Sequence, residues 1–274
     1  MKTIGGGEIL KKKIILPTIF ILSMLAITVY GAEKPSQDTT YKEQVDVTGD
    51  GKMDDITIKG VPFEKGSLFL KEITMKIKTS EGKSLKTNLE GGYEPTLTFK
   101  DMNHDGVKDV FIRVETGGSG GLSNYSLYSL KGSKLIDLDV PETLTITSQF
   151  EEGYKAYIKI EDTGKGYTFN LSDRKADYDR LGVFNNGKLN EPMELMVSPY
   201  STLKPVKIND DQIGFKGVQR ISGVANADTI GFVESSWIME DDEWKLIDTK
   251  VQKGLKSKKK KKKKDNINKC FQNL

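Results

Sequence analysis

Apolar and polar residues alternate with a period of two through most of this chain. Ile56 and Ile58, then Ile73, Met75 and Ile77, then Val110, Ile112 and Val114 each mark one face of a half-buried strand. Further strands are expected over 95–100, 122–130, 134–138, 143–150, 154–160 and 166–171. Ser172–Leu181 is the best helix candidate, with Ser172 as its N-cap and Asp173 in the first turn. Asn185-Asn186-Gly187 is a hairpin turn. Near the end, Ile230–Met239 and Glu243–Val251 flank Glu240-Asp241-Asp242 as a hairpin, expected to bring Trp237 opposite Trp244. The expected fold class is mostly β: antiparallel sheets with few short helices.

Two stretches break this pattern in the same way. Asp46-Val-Thr-Gly-Asp-Gly-Lys-Met-Asp54 and Asp101-Met-Asn-His-Asp-Gly-Val-Lys-Asp109 each put an oxygen-bearing side chain at positions 1, 3, 5 and 9, with Gly at position 6. The candidate ligands are Asp46, Thr48, Asp50 and Asp54, then Asp101, Asn103, Asp105 and Asp109, with the carbonyls of Lys52 and Val107 at position 7. Hard cations take six to eight oxygens, and Gly permits the sharp bend such a loop needs. Ca²⁺ is therefore the expected cofactor. An EF-hand would require Glu at position 12, where Thr57 and Ile112 stand. The plain alternative is an Asp-Gly turn between strands with no metal.

A loop of the form Asp-x-Asx-x-Asp-Gly-x-x-Asp leading into a strand resembles the calcium loops of FG-GAP and VCBS repeats, found in integrin-α-like propellers and secreted bacterial proteins. The loops begin at 46 and 101, a repeat length suited to a four-stranded unit. The resemblance implies blade-like calcium-loop repeats forming a partial propeller or sandwich.

The ends change the charge and the expected location. Lys11-Lys12-Lys13, an apolar run from Ile14 to Val29, and a small-residue exit near Gly31 and Ala32 have the form of a secretory signal peptide. A true start at Leu10, after a translated purine-rich leader, is expected. Lys258–Lys264 is an unbroken lysine run; such a block repels itself and stays disordered. It either holds an anionic polymer or is a frameshifted end encoded by an adenine tract. The full chain carries 42 Lys and Arg against 39 Asp and Glu, but residues 33–253 carry 29 against 37, a net charge of −8. That balance argues against a nucleic-acid partner. The domain reading is 1–32 signal peptide, 33–150 calcium-loop β repeats, 151–253 C-terminal β region, and 254–274 lysine tail.

Catalytic chemistry is sparse. His104 is the sole histidine, at a loop position that points outward, and Cys270 is the sole cysteine. A Cys-His pair or a His-rich zinc site is excluded. Gly117–Gly121 lacks the Lys-Ser/Thr of a P-loop and reads as a tight strand connection. The polar stretch 217–231, with Arg220, Ser222, Asn226 and Asp228, is a ligand loop or a mere connection. The functional expectation is a secreted or cell-envelope calcium-binding β protein without catalytic activity. It would act in adhesion or surface interaction, with a cell-surface protein or polysaccharide as partner. Membrane attachment would require an uncleaved N-terminal segment. The alternatives are a carbohydrate-active or other envelope-processing enzyme using unassigned carboxylates, and a purely structural exported protein.

Overall fold

The computed structural model describes residues 39–209 and 212–254. The expected signal segment and lysine tail lie outside the described residues. Four strands, β1 (Thr39–Val45), β2 (Asp54–Pro62), β3 (Leu70–Lys78) and β4 (Ser84–Leu89), form an antiparallel meander in chain order. β5 (Tyr93–Lys100), β6 (Asp109–Gly117), β7 (Leu122–Ser129) and β8 (Ile136–Asp137) repeat that order in a second sheet. The two expected loops occupy the same place in each, between the first strand and the second.

The second sheet is a middle layer. Val110, Ile112 and Val114 share a core with Ile56, Ile58, Met75 and Ile77 of the first sheet. Phe111 and Leu127 join a different core, built with the C-terminal half. This is why β6 reads as a nearly continuous apolar run rather than a clean alternation.

The C-terminal half begins with β9 (Ile146–Glu151), β10 (Lys155–Ile160) and β11 (Lys165–Asn170), ordered β11-β10-β9. A one-turn 3-10 segment leads into α1 (Lys175–Arg180), and a small hairpin pairs β12 (Phe184–Asn185) with β13 (Lys188–Leu189) around Asn186-Gly187. The last sheet is a meander of long strands: β14 (Met196–Lys207), β15 (Ile213–Ser222), β16 (Thr229–Glu240) and β17 (Glu243–Lys253). Among the described residues no sheet closes on itself, and the helical content is one short helix with two 3-10 turns. No helix among them is long and apolar enough to cross a membrane.

Two local expectations are corrected. The Asp241-Asp242 turn forms, but it pairs Glu240 with Glu243, so Trp244 faces Met239 and Trp237 faces Leu246. Trp244 packs instead on Phe215, ring centroids 5.1 Å apart. Ser172 does not cap α1 through its hydroxyl; it opens the 3-10 turn, and its backbone N–H donates to Asn170 Oδ1 at 2.9 Å.

Candidate functional site

In the first loop the polar groups close on one another. Asp46 accepts the backbone N–H groups of Gly49 and Gly51 at 2.8 and 2.9 Å. Asp50 accepts from Lys52 N–H at 2.8 Å and from the Ser80 hydroxyl, and these donors, Ser80 first, hold its carboxyl below the usual range. Asp54 is fully buried. Its Oδ2 accepts from the N–H groups of Val47 and Thr48 and from the Thr48 hydroxyl, and its Oδ1 accepts from Ser80 N–H at 2.9 Å. The side chain of Lys52 is exposed.

The second loop repeats the scheme with one gap. Asp101 accepts from Asp105 and Gly106 N–H at 3.1 and 3.0 Å, and Asp105 accepts from Val107 N–H at 2.9 Å. The Asn103 amide donates to Asp105 Oδ2. Asp109 Oδ2 accepts from Met102 and Asn103 N–H at 2.8 and 3.3 Å. Its buried Oδ1 has no hydrogen-bond partner; the donor that Ser80 N–H supplies in the first loop has no counterpart. Burial pushes the Asp109 pKa up to about 6, against the opposing pull of the Met102 and Asn103 N–H donors and of the nearby Ser129 hydroxyl, which does not reach hydrogen-bonding geometry on Oδ1. Lys131 reaches this loop, with Nζ 2.7 Å from the Asp105 carbonyl and 3.6 Å from its Oδ2. His104 is exposed, as its position implied.

The position-6 glycines, Gly51 and Gly106, have φ of +80° and +87°, the left-handed region that disfavours a Cβ. The loops touch: a Cβ on Gly49 would stand 2.7 Å from Val107 Cγ2. Gly132 N–H also donates to the Thr48 carbonyl at 3.3 Å. All ten expected ligand residues therefore lie in two adjoining turns. Within each, the position-9 carboxylate turns inward to backbone N–H groups. Among the described residues, no three His, Cys, Asp or Glu side chains converge as a metal-holding group.

The C-terminal half holds two polar constructions, each using one residue of the polar stretch 217–231 with partners that the sequence did not announce. Arg174 donates to Asp228 Oδ1 at 2.5 Å and to the Thr229 carbonyl at 2.7 Å, and the Tyr178 hydroxyl donates to Asp228 Oδ2 at 2.8 Å. Burial and the Asp228 charge push the Tyr178 hydroxyl pKa well above its usual range. The second construction is Gln219, buried on β15. Its Oε1 accepts from Leu144 N–H at 2.9 Å, while its Nε2 donates to the carbonyls of Leu144 and Ser198 at 3.1 and 3.4 Å. The side-chain amide thus does what a neighbouring backbone would do, and bridges the chain before β9 to β14. The stretch 217–231, expected as a loop, is mostly strand: 217–222 belong to β15 and 229–231 to β16, and from β15 Arg220 Nη2 donates to the Gly120 carbonyl of the Gly-rich turn at 3.2 Å.

Beyond the Gln219 bridge, β9 and the segment entering β14 draw together once more, where Phe150 N–H donates to the Met193 carbonyl at 2.9 Å. Between these two points lies a cleft. This segment decides the relationship to known proteins. Residues 144–252 match the family of the YybI C-terminal domain. That match runs from the lead-in to β9 almost to the end of β17. Over a longer stretch the chain is similar to "Uncharacterized protein YybI" of Bacillus subtilis (strain 168), 29% identical over 198 residues that cover 69% of this chain and 75% of that protein. No solved structure matches.

These matches correct the FG-GAP/VCBS resemblance: the matching family is the YybI C-terminal domain, it lies outside both loops, and no FG-GAP or VCBS family matches. The physical reason is that the pattern is short. Any tight turn closed by Asp side chains on backbone N–H groups, with Gly at the left-handed position, requires most of it.

Proposed function

We propose that this chain is an exported, non-catalytic binding protein whose two acidic loops take Ca²⁺ and hold one end of the molecule rigid. Its role would be surface interaction, with a protein or polysaccharide of the cell envelope as partner. The observation that carries the reading is the pairing of the loops. They occupy equivalent places in two successive four-stranded meanders and touch through Gly49 and Val107. Val47 and Met102, at position 2 of each loop, occupy successive cores. We read the two meanders as copies of one blade-like unit stacked in a single direction. Asp46 and Asp50, and likewise Asp101 and Asp105, accept from backbone N–H groups of one short turn, and a cation would take their remaining lone pairs only in the folded chain.

The test is thermal unfolding of the full chain in chelator and in excess Ca²⁺, with Mg²⁺ as control. At 100-fold above the dissociation constant each filled site adds about 2.7 kcal/mol. The expected outcome is a rise in Tm with Ca²⁺ but not with Mg²⁺, lost in an Asp46→Asn/Asp101→Asn variant. No rise would reduce both loops to hydrogen-bonded turns.

A further inference from the structure

We infer that β17 is a self-association edge: two copies of this chain pair antiparallel along it, about a two-fold axis that passes between Leu246 and Ile247. The inference is independent of calcium and of the acidic loops.

The first argument is the open edge. β17 ends the last sheet, and among the described residues no strand pairs with its outer side. Trp244, Leu246, Thr249 and Val251 are half-buried, while Glu243, Lys245, Ile247, Asp248, Lys250 and Gln252 are exposed. In an antiparallel ladder, backbone groups point alternately toward and away from the paired strand. Asp241 and Asp242, with φ of +52° and +61°, close a two-residue turn on the pair Glu240 and Glu243. Glu243 and Lys245 therefore bond inward to β16, and Trp244 and Leu246 point their N–H and C=O groups outward. At the other end, Gly254 N–H donates to the Ile230 carbonyl at 2.8 Å. Counting back by twos, Gln252, Lys250 and Asp248 bond inward, and Val251 and Thr249 point outward. The phase changes at a bulge: Trp237 faces Leu246 and Ser236 faces Asp248, with Ile247 extra.

The second argument is register. Bulges and lysines are also devices that keep an edge unpaired, so the register decides whether a second copy fits. Before the bulge the exposed residues are odd-numbered, and after it they are even-numbered. Residues opposed across an antiparallel pair share a face. A two-fold pair that spans the bulge in both copies must therefore set odd against even. One such register sets Glu243 against Lys250 and Lys245 against Asp248, each twice by symmetry. These four residues bond inward, so they form the pairs without mutual hydrogen bonds, where side chains stand closest. Trp244 and Thr249, both pointing outward, exchange the backbone bonds. A shift of two residues in one direction sets Glu243 against Asp248, and in the other Lys245 against Lys250. Only the central register avoids like charges.

The third argument is what the pairing covers. Ile247 is an exposed apolar residue, at 49%, on this charged face. In the central register the two Ile247 side chains meet at the axis and cover each other. Asp248 and Lys250 have no ion-pair partner among the described residues, and Glu243 and Lys245 pair along one strand with each other. A second copy supplies the missing partners. It also brings the acidic turn Glu240-Asp241-Asp242 of each chain beside the basic end at Lys250 and Lys253 of the other. The same surface thus serves on both subunits, as a two-fold interface requires.

The experiment is sedimentation equilibrium of the full chain over a concentration series. The expected result is a monomer–dimer equilibrium. Lys250→Glu sets like charges opposite Glu243 at two places and should weaken the dimer at least about tenfold. Glu243→Lys/Lys250→Glu reverses both signs and should restore it. Urea unfolding of each variant checks that the fold is kept, and the swap tests the register even if the single variant is less stable. A monomer at every concentration, a dimer indifferent to Lys250→Glu, or a swap that fails to restore association in a folded protein overturns the proposal.

Discussion

Replacing Asp228 with alanine will cost the fold about 3 kcal/mol or more, the lower end of the range for breaking a buried ion pair. The Arg174 and Asp228 side chains are only 10% and 19% exposed. Removing the carboxylate leaves a guanidinium in a poorly hydrated place. It also strips the Tyr178 hydroxyl of its acceptor and frees Val224 N–H, which donates to Asp228 Oδ2 at 3.3 Å. These contacts tie the short helix to the β15–β16 connection, so the loss falls on an element with little stability of its own. Urea unfolding of Asp228→Ala, Arg174→Met and the double variant measures it. The double variant should lose less than the sum of the single ones, because no charge is then left unpaired. Additive losses would mean that the pair is solvated and contributes little.

Much of the architecture was legible because the period-two pattern is strong where a sheet has one buried face. β2 buries Asp54, Ile56 and Ile58 together, and β3 buries Ile73, Met75 and Ile77. The same alternation already placed Asp54 on the inner face. Its inward turn onto Val47 and Thr48 follows that alternation but was not read from the sequence, where the residue type pointed toward a ligand. What could not be read was long-range. Arg174 and Asp228 are 54 positions apart, and Gln219 lies 75 positions from Leu144. No local spacing links residues that meet only after sheets pack. The tryptophan register failed for a different reason: a two-residue turn fixes which positions face each other, and here it puts Met239, not Trp237, opposite Trp244.

In metal-free buffer, Asp109 will make the protein more stable as the pH falls from 7 to 4, against the common acidic trend. Its native pKa is about 6, and the ordinary value is 3.8. Between these two values the native state holds a proton that the unfolded chain has released. Folding then takes up a proton, so stability falls as pH rises through this window and is flat on either side. Two units correspond to about 3 kcal/mol. The structural cause is the orphaned Oδ1: neutralising the carboxyl removes a buried charge that only one oxygen can share with donors. Asp109→Asn should match or exceed the wild-type stability at pH 7 and should abolish this part of the slope, since its amide stays neutral and its oxygen can still accept from Met102. Asp54→Asn should instead lower the stability at pH 7. Both oxygens of Asp54 already accept from backbone N–H groups, and an amide nitrogen would confront one of those donors. The comparison is denaturant unfolding at pH 4 and pH 7 for wild type and both variants, in chelator and then in Ca²⁺. A bound cation at the second loop would favour the charged carboxylate and erase the wild-type slope. If the difference between wild type and Asp109→Asn is the same at both pH values in chelator, the carboxyl is not buried and uncompensated as the geometry requires.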